Sequence, residues 1–354
     1  MNKRQNRPVG MLFIISMIAV LAIVFILIIS VTITMMADTE DLPYDTSGTE
    51  DTVESTPTSD TASISAGLDN TPLFQTVKSR DSYVIGQATE VKQIEKIKSQ
   101  HAILIDLSSY TSVAEKEADT KIYPASMTKV MTLIVACERV TSLDKKLTVT
   151  DEMVKFAEDN DGSGVGLKAG ESYRIEDLLY LISYQSDTIA SILIAEHIAG
   201  SEEAFVALMN STAKQLGLTS TNFANCTGLY NDNNYTTCRE MAAIMAYAMD
   251  NPMVSKCLSS YTGRPLTVGG TECMFYSGWY SYRFSDNPKF SGGKVIAGKT
   301  GYTDESGYTL VSCADIGGKK YINVIITRTN KDSTVKVQEG PSADEVKYIY
   351  KTYS

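Results

Sequence analysis

The chain has 354 residues, 43% of them hydrophobic, and a formal net charge of −10. That is enough chain for one large domain or two ordinary ones with a sizeable core. The acidic balance argues against nucleic-acid binding, which calls for a basic surface, and with only two histidines and no Cys-x-x-Cys nothing resembles a zinc site or calls for a cofactor.

In chain order, Lys3, Arg4 and Arg7 precede an uncharged, mostly apolar run from Met11 to Met36. Its 26 residues exceed the ~20 that span a bilayer and the length of a secretory h-region. Basic residues on its N-side predict a cytoplasmic N-terminus over 1–10 and a single transmembrane signal-anchor over 11–36. Everything after it is then outside the cytoplasm; a cleaved signal peptide is the alternative. The stretch 37–72 holds nine acidic residues and no basic one, with many Ser and Thr. Such a composition cannot bury enough surface to offset chain entropy, so it reads as a disordered linker.

A single domain is expected over 73–354. Ala102–Asp106 reads as a buried strand and Thr111–Glu115 as its hairpin partner. From about 142 to 255 the period becomes helical, with segments at Asp151–Glu158, Ile175–Ile182, Thr188–Ala199 closed by Gly200, Glu202–Leu216 and Thr236–Met249. Three strands follow, Lys294–Gly301, Ser306–Ala314 and Lys319–Thr329. A capping box at Ser342–Glu345 opens a last helix to about Tyr353. The expected fold is α/β (α+β), an antiparallel sheet flanked by helices with an all-helical lobe inserted. Six cysteines in an exported domain could pair, although Cys137 and Cys313 sit in apolar runs suited to buried free thiols.

The chemistry centres on Tyr123-Pro124-Ala125-Ser126-Met127-Thr128-Lys129. Pro124 marks the start of a helix, and residues i and i+3 share a helix face, so Ser126 and Lys129 project together. Alone, a Ser-x-x-Lys pair is usually solvated surface. Histidine, the usual base for a serine, is scarce: His197 reads as structural, and neither it nor His101 has a Gly-x-Ser-x-Gly elbow to serve. An amine is the remaining activator. Downstream, Gly298-Lys299-Thr300-Gly301 puts a cation and a hydroxyl on a strand whose glycines admit a ligand backbone.

Ser126-x-x-Lys129 and Lys299-Thr300-Gly301 are two of the three signatures of penicillin-binding proteins and class A β-lactamases. The best candidate for the third, Ser-x-Asn, is Ser186-Asp187-Thr188. The wider context resembles the D-alanyl-D-alanine carboxypeptidases, the low-molecular-weight penicillin-binding proteins. It includes Leu167–Glu171, Ala195–Gly200, Asn222–Leu229, Tyr302-Thr303 and Gly307–Val311. The resemblance runs in order from about 75 to 330.

It implies that peptidoglycan stem peptides ending in D-Ala-D-Ala are the substrate and that β-lactams inhibit. It further implies Ser126 as nucleophile, Lys129 as base and Ser186 as proton relay. Lys299 and Thr300 would hold the terminal carboxylate, with Gly301, Tyr302 and Thr188 at the substrate. Thr188 stands where the family has Asn, and Ile189 where it has Asp. Asn231–Asn234 fill a region where relatives carry histidines. The family's C-terminal β-domain and membrane-binding tail are expected to be absent. The alternatives are a catalytically weakened wall-binding or sensory homologue, a transpeptidase or endopeptidase of the same fold, and a β-lactamase. The last lacks a Glu-x-x-Leu-Asn to deacylate it.

Overall fold

In the computed structural model, which describes residues 72–74, 79, 83–327 and 341–354, the chain builds one seven-stranded sheet with helices on both faces. It begins with β1 (Gly86–Gln93), β2 (His101–Asp106) and β3 (Thr111–Lys116). A single 3-10 turn at Ala125–Met127 then leads into α1 (Thr128–Cys137). Next come β4 (Lys146–Thr148), α2 (Asp151–Asp159), β5 (Ser172–Arg174), α3 (Ile175–Tyr184), α4 (Thr188–Ala199), α5 (Glu202–Gln215), α6 (Cys238–Asp250) and α7 (Pro252–Ser259). The hairpin of β6 (Arg264–Val268) and β7 (Thr271–Phe275) and a π-turn at Trp279–Arg283 lead to β8 (Lys289–Phe290), β9 (Gly293–Thr303), β10 (Gly307–Ile316) and β11 (Lys319–Thr327); α8 (Ala343–Tyr353) closes the chain.

The strand order is β1-β3-β2-β11-β10-β9-β8. Successive side chains on a strand point to opposite faces, so alternate residues feed two cores. Ile103, Ile105, Val311, Ile322 and Val324 join α1 and the other helices on one side. Ala102, Leu104, Leu310 and Ile325 meet Trp279, Phe284 and Val346 and Ile349 of α8 on the other. All ten residues of α1 are buried, which explains its run of apolar side chains around the whole circumference.

The helical segments expected from the sequence are present, and α4 has the expected bounds, with Gly200 left-handed at φ 82° as its C-cap. The Ser342–Glu345 capping box is formed on α8. Two expectations are corrected: the inserted lobe is not all-helical, since β4 and β5 pair antiparallel within it, and the main sheet is mixed rather than antiparallel throughout. β1 lies parallel to β3, because the chain crosses back between β1 and β2 before pairing β2 antiparallel to β3. The sequence also gave no sign of β1 or the β6–β7 hairpin, whose side chains are largely solvent-facing and so leave no apolar alternation to read. All six cysteines are free, five buried and Cys273 exposed.

The segment 1–10, the signal-anchor over 11–36, nearly all of the linker, and residues 328–329 of the last strand lie outside the described residues. Among the described residues no helix is long and apolar enough to cross a membrane.

Candidate active site

Ser126 lies half-buried on the 3-10 turn that runs straight into α1. Its neighbour Ala125 has φ 48°, a left-handed conformation that a residue with a Cβ adopts only when its surroundings impose it. Those surroundings are visible. Thr309 Oγ1 of β10 donates to the Pro124 carbonyl at 3.2 Å. Gly228, at φ 76°, packs so closely that a Cβ there would lie 2.1 Å from the Ala125 carbonyl oxygen. A Cβ on Gly301 of β9 would lie 2.7 Å from the Ser126 nitrogen. Deeper in, Asn234 Nδ2 donates to Thr128 Oγ1 at 3.1 Å, and Thr132 Oγ1 donates to the Cys226 carbonyl at 2.7 Å. The nucleophile turn is thus wedged between the edge of β9 and the loop 225–229.

Because α1 is the central helix, the Lys129 side chain is buried although it carries an amine. Its Nζ lies 3.4 Å from Ser126 Oγ and donates to the Thr227 carbonyl. Burial pushes the Lys129 pKa down to about 8, against smaller opposing pulls from Cys226, Asp187 and Glu202. An amine that sheds its proton near neutrality beside a hydroxyl is equipped as a base.

On β9, Lys299 is equally buried, and its Nζ donates to Ser186 Oγ at 3.1 Å and to the Thr300 carbonyl at 2.8 Å. Burial holds its pKa well below the ordinary lysine range, and the nearby Lys129 lowers it further. Two amines that sense each other in one desolvated cleft favour an anion arriving between them.

Four of the expected residues, Ser126, Lys129, Ser186 and Lys299, therefore form two Ser–Lys pairs drawn from distant parts of the chain. Thr300 and Gly301 follow Lys299 on the same strand, half-buried. Tyr302 is exposed, its ring 4.5 Å from that of Tyr308 and its hydroxyl donating to Asp304 at 2.9 Å. Thr188 lies apart from these partners. It is buried in the first turn of α4, with Oγ1 packed against Gly162 and unpaired among the described residues, while its backbone N–H donates to Ser163 O at 2.8 Å.

Sequence reasoning met Asn222–Leu229 only as part of the resemblance and Asn231–Asn234 only as a departure from it, and gave no role to the scaffold of the turn: Asn225, whose Oδ1 accepts from Gly228 N at 2.7 Å, then Gly228 itself and Asn234. Taken by composition, Thr227-Gly228 reads equally as an ordinary turn. Gly228→Ala is expected to lower stability by about 3 kcal/mol, from left-handed strain plus a backbone clash, and to cut acylation of Ser126 by about 100-fold. Thermal melting and penicillin-binding rates would check both; a variant as stable and reactive as the parent would show that the approach of Gly228 to Ala125 is not required.

Over residues 87–330 the chain matches the model of the D-alanyl-D-alanine carboxypeptidase family, peptidase S11. It is 31% identical over 252 residues to the D-alanyl-D-alanine carboxypeptidase DacF of Bacillus subtilis, covering 68% of this chain and 60% of that one. To DacA of Escherichia coli (strain K12) it is 32% identical over 250 residues, covering 67% and 58%. It thus spans about three-fifths of the length of these relatives. Among solved structures, the Streptomyces K15 DD-transpeptidase matches with a TM-score of 0.59 at 26% identity, covering 67% of this chain and 92% of that one. A D-alanyl-D-alanine carboxypeptidase from Mycobacterium tuberculosis shares the fold with a TM-score of 0.63 at 24% identity, over 75% and 94%. By its matched length and its relatives, the chain belongs to the D-alanyl-D-alanine carboxypeptidase family.

Proposed function

We propose that the protein is a serine D-alanyl-D-alanine carboxypeptidase that removes the terminal D-Ala from peptidoglycan stem peptides through an acyl-enzyme on Ser126. The observation that carries this reading is the buried Lys129 amine 3.4 Å from Ser126 Oγ, its proton affinity lowered by desolvation. Ser126 Oγ attacks the penultimate D-Ala carbonyl carbon while its proton passes to neutral Lys129. The oxyanion is held by the backbone N–H groups of Ser126 and Tyr302, where each donor in other hydrolases is worth about 3 kcal/mol. As the C–N bond breaks, the leaving amine takes a proton through Ser186. Lys299 and Thr300 bind the terminal carboxylate, whose charge favours protonated Lys299. Water then cleaves the ester, and D-Ala and the shortened peptide leave. A β-lactam would acylate the same oxygen. The apolar run at 11–36 would anchor the domain outside a bacterial cell membrane.

The pH dependence follows from Lys129. Its neutral form is the reactive one, so with a pKa of about 8 the rate of acylation rises with pH and levels off above that value. Below it, the rate is expected to fall about tenfold per pH unit. A stopped-flow profile of penicillin acylation from pH 5 to 10 measures this, and a flat profile would remove Lys129 as the base.

The function itself is tested by incubating the purified domain from residue 73 with a pentapeptide ending in D-Ala-D-Ala and assaying free D-Ala. Release of D-Ala is the expected result. A protein that neither releases D-Ala nor labels with fluorescent penicillin would fit the second reading, a weakened wall-binding or sensory homologue. The buried hydroxyl of Thr188, unpaired among the described residues, favours that reading.

A further inference from the structure

The turn that carries Ser186 raises a question that Ser126 and Lys129 do not answer. Ser186 sits at φ 56°, a sparsely populated conformation for a residue with a side chain, between α3 and α4. Something must hold it there with its hydroxyl on Lys299. On one side Gln185 Nε2 donates to the Tyr276 carbonyl at 2.8 Å. On the other stands Asp187, a fully buried carboxylate.

Both oxygens of Asp187 are used, and for different purposes. Oδ1 accepts from Ala190 N at 2.8 Å and caps α4. Oδ2 accepts from Val165 N at 2.9 Å, in a loop that is distant in sequence. That loop is rich in glycine, with Gly162, Gly164 and Gly166 interleaved by Ser163 and Val165. A Cβ on Gly164 would lie 2.5 Å from Asp187 Oδ2, so the backbone wraps the carboxylate as no other residue could. A second bond, Thr188 N to Ser163 O at 2.8 Å, fastens the same two segments. The cap needs only one oxygen. The loop clamp is what the second is for.

We propose that Asp187 is a positioning residue whose buried carboxylate bolts the loop Gly162–Gly166 to the turn bearing Ser186, so that Ser186 Oγ is presented for proton delivery to the leaving group. This rests on the carboxypeptidase reading above. The charged groups about Asp187 are consistent with it. Burial raises its pKa, but the N–H groups of Ala190, Val165 and Ile189 and the charge of Lys129 on α1 favour the carboxylate form. The pKa of Tyr173 on β5 is pushed up mainly by burial and by its hydrogen bond to Glu171, with Asp187 adding a small further push.

The test separates positioning from stability. Asp187→Asn keeps the size and the helix cap, since Asn caps as well as Asp, but turns an N–H₂ toward the Val165 N–H. Asp187→Ser also caps the helix and is too short to reach Val165, which guards against one variant failing to fold. Turnover of a D-Ala-D-Ala peptide, whose amine must be protonated to leave, is compared with that of a thioester analogue, whose thiolate leaves unaided. Peptide turnover is expected to fall tenfold or more, with thioester turnover kept within about threefold. Hydrogen exchange at the Val165 amide is expected to speed up by tenfold or more in both variants. Equal losses on both substrates, or unchanged peptide turnover, would overturn the assignment. So would an unchanged Val165 exchange rate, which is read without any substrate. Wild-type protein inactive on both substrates would instead sink the carboxypeptidase reading, leaving the exchange measurement to judge the clamp.

Discussion

Ser126→Ala is expected to abolish covalent labelling by fluorescent penicillin and to reduce D-Ala release by at least about 1,000-fold, because nothing else at that turn can form an ester. Thr128, the next hydroxyl along the chain, is buried and already accepts from Asn234. The fold should be unaffected. The Ser126 side chain is half-exposed, and the turn is held by Thr309, Gly228 and Gly301 rather than by its hydroxyl. A melting temperature within a degree or two of wild type, together with lost labelling, is the expected pair of results. Equal labelling of the variant would place the nucleophile elsewhere.

Lys129→Met should separate activity from stability in a less common way. Without the amine no group takes the Ser126 proton, and acylation is expected to fall by about 100- to 10,000-fold, the range that general-base removal usually costs. Stability should hold. At pH 7 the fold carries the penalty of a buried cation, and an apolar side chain of similar length removes it. Loss of the hydrogen bond to the Thr227 carbonyl works the other way by about 1–3 kcal/mol, so the two roughly offset. The sign of the pH effect follows. The folded-state pKa of Lys129, about 8, lies below that of the unfolded chain, so between pH 8 and the ordinary lysine range the unfolded state binds more protons. Wild-type stability should therefore gain over that window relative to Lys129→Met. Urea melts of both proteins at pH 7 and pH 9.5 would show it, and a constant difference would mean that the amine is solvated.

Much of the architecture could be read in advance because its causes are local. A twelve-residue apolar stretch between Asp187 and Gly200 has only one economical form, a buried helix with a cap at each end. The three C-terminal strands announce themselves by a change of period and the short turns between them. The mixed sheet did not, since whether β1 pairs parallel or antiparallel depends on the path of the chain over 94–100 and not on the composition of the strand.

The site divides along the same line. The sequence by itself determined the reactive groups: a serine and a lysine one helical turn apart, a second lysine on a glycine-flanked strand, and too little histidine for the usual alternative. Those are matters of residue type and spacing. Tertiary structure alone decided what makes them chemistry. Burial of α1 on every side depresses the Lys129 proton affinity, and burial is a property of everything packed around a residue. The approach of Gly228 and Gly301 to Ala125 and Ser126 joins segments about a hundred or more residues apart. The same packing turned Thr188 onto the loop at Gly162 and gave Asp187 two separate tasks, because the direction in which a side chain points is set by the neighbours that enclose it.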